Sequence, residues 1–501
     1  MLFNSFIFVL LFLPITVVIY HLINNSGHFT AAKVFLLAMS LWFYCYNSRR
    51  ILIFLFASIV INYLISTLFC SSRLSRGAKK SALVFGIVLN ILSLLYFKYA
   101  GFFATVLTDL TGRLFTFEAI FSPLGISFIT FGQIAFLADS YRDNTGEEAT
   151  TAPKPVTSLL DYALFVSFFP KVSVGPIAFS GELIPQFNDS LRKKTDFDNV
   201  AKGLVMFSFG LAKKVLLADT IATMVNLGYR NILSMDSLIA LIVVVGYTVQ
   251  IYFDFSGYCD MASGVCLMLN MELPVNFDSP YRALSVNDFW KRWHITLTRF
   301  FRQYVYFPLG GNRKGKVRTY LNIFLIFLLS GFWHGANYTF IVWGIIHGVF
   351  MCLSKAFLPF TEKLPKAVRF ICTFVYINLT WVFFRANSIP EALGVIMTLF
   401  SFRFNTLTKN ATYIAQAVPP EAQLFQWLLS LKDPDLPILT GMIILLLVIA
   451  FAVFASVKMK NPAERIQNFK PTKGLLAATV ILLIWSVISL SDIATFIYTN
   501  F

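Results

Sequence analysis

Three of the five histidines in this chain, His294, His334 and His347, fall in one stretch from Gly246 to Gly348. Aromatic, basic and polar residues crowd there into an otherwise apolar sequence. Histidine exchanges its proton near neutral pH, so a His directed inward is a candidate general base. His21 and His28 flank the end of the first apolar run and read as interfacial.

His294 lies in SVNDFWKRWHITLTRFFRQYVYFPLGG. Ser285 can cap a helix, with Asp288 at its third position. At about 100° per residue, Phe289, Trp290, Trp293, Leu297, Phe300, Phe301, Tyr304 and Val305 form one apolar arc. Lys291, Arg292, Arg299 and Arg302 lie opposite. This pattern predicts one continuous basic amphipathic helix at a membrane interface. His294 falls within the apolar arc and should point inward, either as an ordinary core residue or as a functional one.

His334 interrupts a nearly unbroken apolar run, residues 321–353. As one helix that run would be about 50 Å long, against about 30 Å of hydrocarbon. It must break, and SGFWHGAN is the natural place. Irregular backbone at membrane depth survives only where protein or a water-filled cavity surrounds it, which makes His334 a site candidate. The bland alternative is a surface connection between helices. On a continuous helix His347 would lie roughly 220° around from His334, so it reads as structural. In QIYFDFSGYCDMASG, Asp254 and Asp260 are intramembrane acids with Tyr258 between them. They need partners, either in packing or in catalysis. Gly310 to Lys316 fits GxxxxGK, but Val317 stands where a P-loop needs Ser or Thr. A basic loop gripping a phosphate-bearing donor remains compatible with it. No His, Cys or carboxylate group has metal-ligand spacing.

The elements holding these residues must be membrane helices. Of 501 residues, 57% are hydrophobic and 13% charged, too few charges to cover soluble domains of that size. Apolar runs at 2–20, 51–70, 81–105, 118–138, 236–253, 368–384, 438–457 and 474–490, with others at 31–46, 158–170, 203–218 and 256–271 and two more flanking Trp333, predict roughly 11–14 membrane segments, re-entrant ones included. The first run lacks a basic leader and a cleavage site, so it reads as a span. A net charge of +16 is gathered in short clusters between spans. This fits the positive-inside rule and gives no reason to expect a nucleic-acid partner. The six cysteines form no CxxC pair and read as apolar filler. Segments 143–157 and 405–437 read as loops, and the whole chain as one membrane domain with its motif-rich core at 246–348.

The strings SPLGISFITF, FFPKVSVGPI, GLAKKVLLAD, YTVQIYFDFSGYCDMASG, LPVNFDSPY, NDFWKRWHITLTRF, YFPLGGNRKG, SGFWHGANYTFIVWGIIHG and WVFFRANS resemble the membrane-bound O-acyltransferase superfamily, most nearly its alginate O-acetyltransferase branch. Gly132, Lys171 and Ala178 depart from the commoner family pattern. The resemblance implies a helical bundle with re-entrant or interfacial helices around a central tunnel, and two histidines near its narrow point matching His294 and His334. It makes Asn287, Trp293, Trp333, Asn337, Asp254, Tyr258 and Asp260 expected supporting residues. Arg299, Arg302, Arg313 and Lys314 are the expected donor-binding cluster. It further implies acetyl-CoA as donor substrate with no permanently bound cofactor, a polysaccharide acceptor, an extracytoplasmic partner protein, and residence in a bacterial cytoplasmic membrane. Alternatives are D-alanyl transfer from a carrier protein to teichoic acid, a transporter or flippase, which should show paired inverted repeats, and a non-catalytic scaffold.

Overall fold

The structure, a computed structural model, describes residues 1–46, 49–117, 123, 125–145, 157–172, 174–415, 417, 436–459, 461, 466, 469–490 and 497. Among these, every regular element is helical, because a helix pairs its own backbone groups where no water can. In chain order the main helices are α1 (Phe8–Asn25), α2 (Phe29–Cys45), α3 (Arg50–Cys70), α4 (Arg76–Thr111), α5 (Ile126–Thr145), α6 (Leu159–Ser167), α7 (Ser180–Asn188), α8 (Phe197–Ala212), α9 (Thr220–Arg230), α10 (Ser237–Met268), α11 (Val286–Arg292), α12 (Ile295–Phe301), α13 (Gly315–His334), α14 (Tyr338–Ala356), α15 (Lys366–Arg385), α16 (Ile389–Leu399), α17 (Thr440–Lys458) and α18 (Lys473–Ile488).

Seven of these, α1, α3, α4, α10, α14, α15 and α17, are long and apolar enough to cross a bilayer, and α2, α16 and α18 are apolar but shorter. The chain is an all-α, multi-pass membrane protein. Among the described residues these ten apolar helices stand beside the roughly 11–14 segments, re-entrant ones included, that the sequence predicts, and individual runs differ in identifiable ways. Runs 236–253 and 256–271 are one 32-residue helix, α10. Run 158–170 yields only the nine-residue α6 before the chain turns at Phe168. The predicted loops fall largely outside the described residues, at 146–156 and at 416 and 418–435.

The chain groups into two compact units. The first comprises Met1–Phe207, Ala262–Pro274 and Arg299–Tyr304; the second comprises Ser208–Met261, Val275–Thr298 and Val305–Phe501. The first is built on α3, α4 and α5 in mutual contact. A Cβ on Gly86 of α4 would lie 2.7 Å from Leu137 and 3.2 Å from Ile65, so glycine is what permits that approach. In the second unit, α8 and α10 touch backbone to backbone: a Cβ on Gly210 would lie 2.6 Å from the Gly257 carbonyl. From Lys213 to Asp219 the chain of α8 continues as a wide π-helical turn. That turn carries Lys213 to within 2.5 Å of Asp260, and Lys214 to within 2.6 Å of Asp254 and 2.7 Å of Asp219.

Candidate active site

The local sequence starts α11 as expected. Ser285 Oγ accepts the Asp288 N–H at 3.1 Å, and Asp288 accepts from Arg292 at 2.9 Å. Phe289, Trp290, Trp293, Leu297, Phe300 and Phe301 are buried, as the apolar arc requires. The single helix predicted through this region is nevertheless broken. Trp293 is extended and His294 is left-handed, with φ +46°, an uncommon state for a side chain with a Cβ. The residues LPVNFDSPY supply the cause. The Asp278 N–H donates to the Arg292 carbonyl and the Ile295 N–H donates to the Asn276 carbonyl, both at 3.0 Å. The backbone groups that a helix would pair internally are thus paired across the break. The His294 carbonyl then accepts from the Leu297 and Thr298 amides and starts α12.

At this break the imidazole is fully buried. Its ring lies edge-on to Phe255 at 4.9 Å and 6.1 Å from Trp333. Its Nδ1 is 3.2 Å from Asn276 Oδ1, which also accepts the Thr296 N–H at 3.2 Å and the Thr296 hydroxyl at 2.8 Å. The Asn276 amide nitrogen donates to Cys259 Sγ at 3.3 Å. Burial among these neutral groups pushes the His294 pKa down to about 3, so the ring is neutral at physiological pH.

The second break is where chain length predicted it. His334 ends α13, Gly335 is extended, and Asn337 caps α14 by accepting the Thr339 N–H at 3.1 Å. A Cβ on Gly331 would meet the Phe340 carbonyl at 2.4 Å, and one on Gly335 the Phe340 ring at 2.1 Å. The two helices therefore pack with no room for larger residues. The buried His334 ring sits 5.0 Å from Trp333, 5.2 Å from Trp343, 5.1 Å from Phe384 and 6.4 Å from the His294 ring. Two helix breaks 40 residues apart in sequence thus bring the two histidines into one buried aromatic cluster of the second unit.

The other expected residues divide. Trp333 lies beside both histidines, its ring 6.1 Å from His294 and 5.0 Å from His334. Trp293 stacks on Phe289 and packs at a tilt against Trp381, behind the histidines. Tyr258 is buried on α10. Asp254 and Asp260 hold Lys214 and Lys213, which makes them packing partners of the π-helical turn. Asn337 is occupied with its cap and with the Asn387 carbonyl at 2.8 Å, and Asn287 is exposed on α11. Arg299, within the first unit, forms a two-pronged pair with Glu182 and lies 4.3 Å over Phe179. It is a structural cation, whereas Arg302, Arg313 and Lys314 are exposed. Sequence reading missed Asn276, Thr296, Lys213 and Lys214. The adjacent lysines inside an apolar run were a visible signal, since intramembrane cations demand acids. Nothing in the 18-residue separation of Asn276 from His294 marks that pair.

Two buried imidazoles meeting at helix breaks are groups able to accept and return a proton away from water. An acyl-transfer enzyme of the membrane needs such groups. The chain belongs to the membrane-bound O-acyltransferase family, whose model matches residues 43–389, and it is an O-acyltransferase. It is 40% identical over 417 residues to a peptidoglycan O-acetyltransferase of Helicobacter pylori, covering 79% of each chain. It is 36% identical over 410 residues to the probable alginate O-acetylase AlgI of Pseudomonas aeruginosa, covering 80% of this chain and 75% of that one. A teichoic acid D-alanyltransferase of Bacillus subtilis is 29% identical over 251 residues, covering 49% of this chain and 62% of that one.

Proposed function

We propose that this protein O-acetylates an extracytoplasmic polysaccharide, taking the acetyl group from acetyl-CoA at the cytoplasmic face of a bacterial inner membrane and passing it to an extracytoplasmic partner protein that completes transfer. The observation that carries the reading is the His294–His334 pair, with ring centres 6.4 Å apart. At that spacing two imidazoles can each reach one hydroxyl held between them within about 3 Å.

A thioester is already activated, so the enzyme must supply a base, an orientation and charge stabilisation. His334 accepts the proton of the acceptor hydroxyl as its oxygen attacks the thioester carbonyl. A C–O bond forms, the C–S bond breaks, and the departing thiolate takes the proton back from His334. His294 orients the acceptor or stabilises developing charge. The exposed Arg313 and Lys314 would receive the phosphates of the donor. A tunnel joining the two faces would spare the cell from moving CoA across the membrane.

The test is transfer of labelled acetyl from acetyl-CoA in membranes carrying this protein and its partner, with His334→Ala as control at matched expression. Label on partner or glycan with wild type alone supports the reading. If wild type transfers D-alanine from a carrier protein and no acetyl, the teichoic acid reaction replaces it.

A further inference from the structure

We propose that Asn276 is a positioning residue that holds His294 as its Nδ1–H tautomer, so that Nε2 presents a lone pair to the site and His294 cannot stabilise the oxyanion. The part of this that concerns substrate rests on the acyl-transfer reading above; the tautomer rests on geometry alone.

The orientation of the Asn276 amide is fixed by a backbone group. The Thr296 N–H can only donate, and it points at the Asn276 atom assigned as oxygen, 3.2 Å away. Rotating the amide would set an NH2 group against that N–H, donor against donor. The atom facing His294 Nδ1 at 3.2 Å is therefore an acceptor, and the imidazole must supply the hydrogen. A neutral imidazole with its proton on Nδ1 has its lone pair on Nε2. It accepts hydrogen bonds there and cannot donate to a developing oxyanion, which needs a donor. Of the two roles open to His294, stabilising the oxyanion is the one this wiring excludes.

Asn276 also holds the backbone that aims the ring. Its carbonyl takes the Ile295 N–H, and its side chain takes both polar groups of Thr296. The left-handed His294 is thus clamped from the following residues, as strained positions at sites require. The amide is itself seated by its bond to Cys259 Sγ on α10. The titratable groups around the ring are His334 on α13, Cys259 on α10, and the Lys213–Asp260 pair one residue further along α10.

The experiment uses full-length protein in lipid bilayers with nitrogen-15 in its five histidines. Solid-state NMR separates protonated from unprotonated ring nitrogens, and His294→Gln assigns the signal. The expected result is a protonated Nδ1 on His294 in wild type. In Asn276→Leu that signal is lost or mixed, and kcat falls about 10–100-fold while KM for the donor stays within about twofold. Asn276→Asp guards against a leucine variant that does not fold. The carboxylate accepts from the same groups and favours imidazolium, so Nδ1–H persists and the ring takes its second proton at least about one pH unit higher than in wild type. The acid limb of the rate profile rises with it. A wild-type His294 protonated on Nε2, or an Asn276→Leu spectrum identical to wild type, overturns the proposal. The expected spectra from a protein that transfers no acetyl group uphold the tautomer and overturn only the acyl-transfer reading.

Discussion

His294 and His347 are both fully buried in the second unit and both lie against tryptophan and phenylalanine rings, yet their surroundings differ in kind. His347 sits inside the regular helix α14. Its Nδ1 lies 3.3 Å from Trp290 Nε1, a group that only donates, and 3.1 Å from the Tyr376 hydroxyl. That nitrogen is the acceptor, and the proton of a neutral ring is on Nε2. His294 sits at a left-handed break and faces an acceptor. One ring completes a hydrogen-bonded wall in unstrained backbone, and the other is presented from a backbone held open for it. On the proposed function, burial and aromatic company do not distinguish the working histidine from the packing one; the backbone beneath it does.

The widest separation should come from the base itself. His334→Ala is expected to lower acetyl transfer about 10²–10⁴-fold with unchanged yield of folded protein, measured by turnover and gel filtration. Turnover within tenfold of wild type would remove His334 from the role of base. His294→Gln should cost less, about 10–100-fold in kcat. It should also flatten the acid dependence of stability. The folded pKa of His294, about 3, lies below the 6.5 of a free imidazole. The unfolded chain takes up a proton that the folded chain refuses, so stability is complete above pH 6.5 and declines as pH falls below it. Thermal inactivation between pH 7 and 4 should show a shallower decline in the variant. His347→Leu should invert the pattern: specific activity of folded enzyme within about threefold of wild type, but stability lower by about 1–3 kcal/mol, because Trp290 is left with an unmet buried donor. Comparable loss of kcat in both histidine variants would erase the distinction. The smallest effect belongs to the exposed loop. The double variant Arg313→Glu, Lys314→Glu should raise KM for acetyl-CoA about threefold, diminishing with salt, while kcat holds.

How much of this could be read in advance follows the range of the interactions. The break after His334 was legible because a helix of known rise outruns the bilayer. The Ser285 cap and the inward face of His294 were legible because they depend on neighbours within two turns. The break at His294 was hidden because the apolar period runs through it undisturbed from Phe289 to Phe301. What stops the helix there is backbone pairing from residues 276 and 278, which no local pattern announces. Asn337 was read as a pocket residue, although its position just before α14 suited the cap it forms. Arg299 shared a helix face with exposed cations but finds Glu182, 117 residues away in sequence.

The two lysines of the π-helical turn constrain how the protein is made. Lys213 and Lys214 on one segment answer Asp260 and Asp254 on another. Each charge alone would cost about 2.5–3.5 kcal/mol to place at the centre of a bilayer. Neither segment is a comfortable passenger by itself, and together their charges cancel. Residues 208–261 are therefore expected to leave the translocation channel as a preassembled hairpin, so that part of the tertiary structure is settled before the lipid is reached.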